Sequence, residues 1–119
     1  QNQLKALELG WKIVRYVKSN AIVIANSQQV LGIGAGQMSR IDSLKIAIRK
    51  IKEFNLNLDE AIIASDAFFP FPDSLEVAAD NEILSIVQPG GSIKDKEIIE
   101  KANQLGISMV FTSERHFYH

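Results

Sequence analysis

Ala61-Ile62-Ile63-Ala64, Ile83-Leu84-Ser85-Ile86-Val87 and Ile107-Ser108-Met109-Val110-Phe111 are three short apolar runs, each of strand length and each carrying β-branched residues. Two segments with helical spacing separate them. The first, Ser74–Ala79, follows Asp73, whose carboxylate can cap a helix start, with Glu76 three residues on. The second follows Ser92 and Asp95, places Ile98, Ala102 and Leu105 on one face, and meets Gly106 where a helix would stop. Strand, helix, strand, helix, strand is the pattern of a parallel sheet, because right-handed crossovers return each strand in the same direction.

Reading back toward the amino terminus extends that pattern. A polar loop, Asn55–Asp59, precedes Ala61. Before it, Ile41, Leu44, Ile48 and Ile51 recur at steps of three and four, a buried helical stripe with Lys45, Arg49 and Lys52 as its solvated edge. Ser39 with Asp42 is a capping pair for that helix. Val30–Ile33 reads as a strand leading into Gly32-Ile33-Gly34-Ala35-Gly36, and Ala21–Ala25 as its hairpin partner across the turn Asn26-Ser27-Gln28. Leu4, Leu7, Trp11 and Val14 form the stripe of a first helix ending near Ser19, with Glu8 and Lys12 paired beside it. The expected fold is α/β, a three-layer sandwich with a mixed, mostly parallel sheet, one domain over residues 1–119.

This topology has a consequence for function. The strand at 30–33 and the three later strands all run one way, and the hairpin partner runs the other. Five segments therefore converge on the carboxyl rim: Lys18–Asn20, Gly34–Arg40, Phe68–Asp73, Pro89–Ser92 and Arg115–His119. Open α/β sheets hold ligands at that rim, where helix N-termini also favour anions.

Bulk composition removes several classes of function. The 119 residues are 46% apolar and 23% charged, ordinary globular usage that argues against disorder. A formal net charge of −1 does not suit a nucleic-acid-binding surface. No apolar run has the length of a membrane helix, so no membrane role is expected. Cysteine is absent, so disulfides and thiolate zinc sites cannot form; with only two histidines, His116 and His119, no metal is expected. A cytoplasmic location is the simplest expectation. The chain starts at Gln1, and a piece of something longer is expected.

Each rim feature has a plain reading beside a functional one. Gly32–Gly36 lacks the third glycine of a dinucleotide fingerprint, since Gln37 stands there, and it lacks the Gly-Lys-Ser/Thr of a phosphate loop. A tight strand-to-helix turn and close approach to a ligand would use the same glycines. Arg40, directly after the cap, is either a surface arginine or a bidentate contact to an anion. In Phe68-Phe69-Pro70-Phe71-Pro72, Phe68 and Phe71 suit a stacking wall for a planar heterocycle, although a ring could equally plug the core. Asp66 and Asp73 either cap and close turns or reach a ligand amine. The ending Arg115-His116-Phe117-Tyr118-His119 packs over the sheet or docks at the rim.

Five segments together carry a family resemblance. Lys18-Ser19-Asn20-Ala21-Ile22-Val23, Gly32–Arg40, Ser65–Phe71, Gln88-Pro89-Gly90-Gly91-Ser92-Ile93 and Arg115–His119 closely resemble the bifunctional aminoimidazole carboxamide ribonucleotide formyltransferase and inosine monophosphate cyclohydrolase family, in order and over essentially the whole chain. The resemblance implies transfer of a formyl group from formyl-tetrahydrofolate, as co-substrate, to the amine of the ribonucleotide; ring closure to inosine monophosphate belongs to another domain. It implies a cytidine-deaminase-like subdomain without zinc, the second, C-terminal one of the formyltransferase region. It also implies a homodimer in the complete enzyme, the rest of the parent chain as partner, and small-molecule nucleotide and folate as ligands.

Carried over by position, Asn20 matches an assisting catalytic asparagine that also touches substrate. Arg40, Phe68, Arg115, Phe117 and His119 match substrate-binding positions. Ile41, Pro70, Phe71, Asp73 and Ser92 match folate-binding positions. Pro72 departs from the arginine common there, which bears on the folate loop. The family's catalytic lysine–histidine pair has no counterpart here, so the chain is expected to be inactive alone. The competing class is a non-catalytic binding or assembly module using the same rim. A zinc nucleoside deaminase is excluded, because neither His-x-Glu nor Pro-Cys-x-x-Cys occurs.

Overall fold

The computed structural model describes residues 2–67, 72–91 and 93–112. Nine elements follow in order: α1 (Asn2–Val14), β1 (Ile22–Ala25), β2 (Val30–Gly34), α2 (Arg40–Glu53), β3 (Ile62–Ser65), α3 (Asp73–Asp80), β4 (Ser85–Gln88), α4 (Asp95–Leu105) and β5 (Ser108–Phe111). The strands form one sheet in the order β2-β1-β3-β4-β5. β1 is antiparallel to both its neighbours, whereas β3, β4 and β5 are mutually parallel. The expected mixed, mostly parallel sheet is therefore present, and β2 runs with β3.

Alternation of side chains along the strands sorts the core into two layers. Ile22, Ile24, Leu31, Ile63 and Ile86 face α2, α3 and α4, meeting Leu44, Ile48, Ile51, Leu75 and Ile98. Val23, Ala25, Ile62, Ala64 and Val87 face α1, meeting Ala6 and Val14. This second layer is thin. A Cβ on Gly10 would lie 2.8 Å from Ile62 Cδ1 and 3.1 Å from the Ala64 methyl, so α1 rests almost directly on the sheet.

That close approach corrects the stripe expected for α1. Ala6, Gly10 and Val14 are buried, while Leu4 is 60% exposed; Leu7 and Trp11 pack at the margin. Small residues at steps of four, rather than leucines, make the contact. The helix also stops at Val14 instead of near Ser19. Beyond Val14 the chain tightens into i→i−3 turns, Tyr16 N–H to the Ile13 carbonyl at 3.0 Å and Val17 N–H to that of Val14 at 3.2 Å, and the Lys18 carbonyl then accepts from Gly36 N–H at 3.0 Å.

Three boundaries follow expectation. Ser39 caps α2, its side chain accepting from Asp42 N–H at 3.3 Å. Gly106 ends α4 in the left-handed region at φ 72°. Asn26 Oδ1 accepts from both Gln28 and Gln29 N–H at 2.9 Å, closing the β1–β2 hairpin. Lys45, Arg49 and Lys52 are exposed as expected, but Ile41 is only half-buried, and Ser43, Leu44, Ala47, Ile48 and Ile51 form the buried face of α2.

One cap assignment is corrected. Asp73 is the first residue of α3 rather than its cap: Pro72 holds φ −75° at the capping position, and Asp73 Oδ1 accepts from Ser74 N–H at 2.9 Å. Asp95 opens α4 after Lys94, and its Oδ2 accepts from Gly91 N–H at 2.8 Å; Ser92, its expected capping partner, lies outside the described residues. No helix among the described residues is long and apolar enough to cross a membrane.

Candidate functional site

Register places the rim. Ile22, the first residue of β1, pairs with Gly34 at the end of β2 and with Ser65 at the end of β3, while Gln88 pairs with Phe111 at the ends of β4 and β5. The described parts of four of the five rim segments thus lie at one end of the sheet; the fifth, Arg115–His119, falls outside the described residues. Phe68, Pro70, Phe71, Ser92, Arg115, Phe117 and His119 lie outside the described residues. Asn20, Arg40, Ile41 and Asp73 lie within them.

Glycine brings α2 to this rim. A Cβ on Gly34 would fall 1.8 Å from the Ser43 carbonyl oxygen, and one on Gly32 would fall 2.8 Å from that of Ala47. The first turns of α2 can therefore lie against β2 only because those two side chains are missing. Gly36, at φ 66°, then turns the chain toward Ser39. Of the two readings of this loop, the tight turn is realised.

Where β1, β2 and β3 end together, a polar cluster is buried. Asp66, the residue after β3, is 0% exposed. Its Oδ1 accepts from Arg40 Nη2 at 2.7 Å and from Ala21 N–H at 3.3 Å, and its Oδ2 accepts from the Ser19 hydroxyl. Arg40 Nη1 donates to Asn20 Oδ1. Asn20 Nδ2 in turn donates to the Gln37 carbonyl at 3.0 Å, and the Ser43 hydroxyl donates to the Asn20 carbonyl at 2.6 Å. The Ser19–Asn20 peptide bond is cis.

Arg40 is thus no surface arginine. Its side chain is 10% exposed, and it spans from the first turn of α2 to β3. Its Nε is buried and has no hydrogen-bond partner among the described residues. The bidentate contact to an anion is not what forms: one Nη bonds the Asp66 carboxylate and the other the Asn20 carboxamide. Sequence reasoning weighed Asp66 only as a turn residue or an amine contact and missed it as the partner of Arg40. The signal was a carboxylate immediately after an apolar strand, which needs a cation once the strand end is buried.

The other rim residues are more open. Ile41 stands half-buried on the first turn of α2, and Asp73 opens α3. Met38 and Ile93 project from the rim loops almost fully into solvent, 95% and 99% exposed. Chemically, the cluster gathers N–H donors, a carboxylate and one carboxamide at the rim.

Sheet order and layering define the class. The fold is that of the cytidine- and dCMP-deaminase-like α/β proteins. The dCMP deaminase of cyanophage S-TIM5 superposes with a TM-score of 0.58 in its apo form, at 13% identity, covering 92% of this chain and 94% of that one. The same enzyme in complex with dCMP and dUMP gives 0.60 at 14% identity, covering 92% and 93%. At such identity the likeness is one of fold.

Sequence is more specific. Residues 1–50 match the family model described as AICARFT/IMPCHase bienzyme. The whole chain is homologous to a segment of the bifunctional purine biosynthesis protein PurH. It is 52% identical over 117 residues to the protein of Aquifex aeolicus, 57% over 117 residues to that of Macrococcus caseolyticus, and 54% over 119 residues to that of Pediococcus pentosaceus. These alignments cover 98%, 98% and 100% of this chain and 23% of each relative, so the chain spans about a quarter of their length.

Proposed function

We propose that this chain is the C-terminal subdomain of the formyltransferase region of a bifunctional purine-biosynthesis enzyme. It supplies nucleotide- and folate-contacting residues and does not turn over substrate alone. The reaction forms a bond between the ribonucleotide amine and the formyl carbon, breaks the bond from that carbon to a folate nitrogen, and moves the amine proton to the departing nitrogen. The lysine–histidine pair that the family uses for proton movement has no counterpart in this chain. Its own contribution is orientation. Asn20 and Arg40 hold the carboxamide and amine side of the nucleotide, with Phe68, Arg115, Phe117 and His119 as further nucleotide contacts. Ile41, Pro70, Phe71, Asp73 and Ser92 face the folate. The parent enzyme is a cytoplasmic homodimer.

One observation carries this reading: Asn20 and Arg40, 20 residues apart in sequence, are joined by a direct hydrogen bond at the carboxyl rim. Homology to PurH supports the parent activity. The exposed Met38 and Ile93 support a rim covered by the remainder of the parent chain or its partner subunit.

The test compares the complete parent protein with the 119-residue chain in a formyl-transfer assay. Turnover by the complete protein and none by the chain is expected, together with a turnover defect in Asn20→Ala of the complete protein. Turnover by the chain alone, or a wild-type rate in Asn20→Ala, removes the proposal. A complete protein that binds the nucleotide without transferring the formyl group would indicate a binding module.

A further inference from the structure

We propose that Asp66 is a positioning residue of this site: its carboxylate fixes the Arg40 guanidinium and, through it, the orientation of the Asn20 carboxamide. This rests on the proposed function, in which Arg40 and Asn20 touch the nucleotide.

The carboxylate is held on every side. Oδ1 takes Arg40 Nη2 and Ala21 N–H, Oδ2 takes the Ser19 hydroxyl, and the Asp66 N–H itself donates to the Ala21 carbonyl at 3.3 Å. The Ser65 hydroxyl, one residue back, donates to the Ala67 carbonyl at 2.7 Å and stiffens the same corner. Asp66 is thus a fixed anion, and Arg40 is the long side chain that depends on it.

Arg40 then selects between the two ends of an amide. A guanidinium only donates, so the Asn20 oxygen must face it, and the Asn20 nitrogen faces the Gln37 carbonyl at 3.0 Å. Reversing the amide would set N–H against N–H and oxygen against oxygen. The free lone pair of Oδ1 and the second N–H of Nδ2 are what Asn20 retains for a ligand, and their direction follows from Asp66 by way of Arg40.

The ion pair is also incompletely satisfied, because Arg40 Nε is buried without a partner among the described residues. A strut selected only for stability would be cheaper as apolar packing, whereas a buried arginine with an N–H unmatched among the described residues suits a site. Asp66 also stands only two residues before Phe68 in sequence.

The test is a double-variant cycle in the complete enzyme. Asp66→Asn keeps the shape and removes the charge, and is expected to lower kcat about 10- to 100-fold with smaller change in KM. In an Arg40→Met background the same change is expected to have almost no further effect, because its route is gone. An equal loss in both backgrounds, or a wild-type kcat for Asp66→Asn, overturns the proposal. Should Asp66→Asn not fold, Ser19→Ala frees one carboxylate oxygen only. It is expected to lower kcat about fivefold with a small fall in melting temperature, and an unaltered kcat overturns the proposal. A wild-type enzyme that transfers no formyl group would end the proposed function separately. Asp66 is then judged from the Asn20 side-chain amide resonances of the 119-residue chain: they shift in Asp66→Asn on this account, and their standing still overturns it.

Discussion

At the amino end of β3 and β4, Glu60 and Glu82 occupy left-handed turns at φ 59° and 60°, exposed beside a hollow of about 520 Å³. At the carboxyl end of the same strands, Asp66 and Arg40 are enclosed and bonded to each other. The first pair of charges stays hydrated and costs the fold little. The second has been taken out of water, at a penalty of several kcal/mol per ion that mutual attraction seldom returns in full. Under the proposed function, the end of the sheet that buries charge is also the end that meets the nucleotide. The hollows follow no such logic. Those of about 520 and 610 Å³ lie among the turns of the amino end, and one of about 490 Å³ lies between α2 and α3.

Substitutions can break or sharpen this contrast. The largest expected effect is at Gly34, whose added methyl would meet the Ser43 backbone oxygen at 1.8 Å. Gly34→Ala should lose more than about 4 kcal/mol in denaturant titration; an unchanged midpoint would show that α2 can move off β2 freely. Next comes Asp66→Ala, which leaves the Arg40 cation buried without its counter-charge, at about 3–5 kcal/mol. A loss below about 1 kcal/mol would mean Arg40 escapes to water and the rim is not rigid. Ser39→Ala should cost about 1 kcal/mol through the lost α2 cap, again by denaturant titration. Smallest is Arg49→Ala, whose 3.8 Å pairing with Glu53 leaves both side chains more than 60% exposed. Its thermal midpoint should correspond to a change within about 0.5 kcal/mol, and a larger one would erase the distinction between buried and solvated charge.

Strand order apart, most of the architecture was legible. Alternating apolar runs and capped helical stripes specify the layers, and Gly106 and Ser39 stop and start helices where local chemistry requires. What escaped was tertiary. The Ala6-Gly10-Val14 contact of α1 reads as weak in sequence, because its value lies in how near the sheet comes rather than in side-chain size. The end of α1 and the start of α3 shifted because i→i−3 turns at Tyr16 and Val17 close the first helix and Pro72 occupies the capping position of the third. At the site, Asn20 and Arg40 were visible as rim residues, but no local signal links either to Asp66, 46 and 26 residues away.

Where the nucleotide sits is the most direct question, and a crystal structure of the complete parent enzyme with the ribonucleotide bound would answer it. The prediction is a base whose carboxamide and amine lie within hydrogen-bond distance of Asn20 and Arg40, with the Arg40–Asp66 ion pair intact. A nucleotide bound instead beside Glu60 and Glu82, or one that leaves Asn20 and Arg40 untouched, would contradict the account.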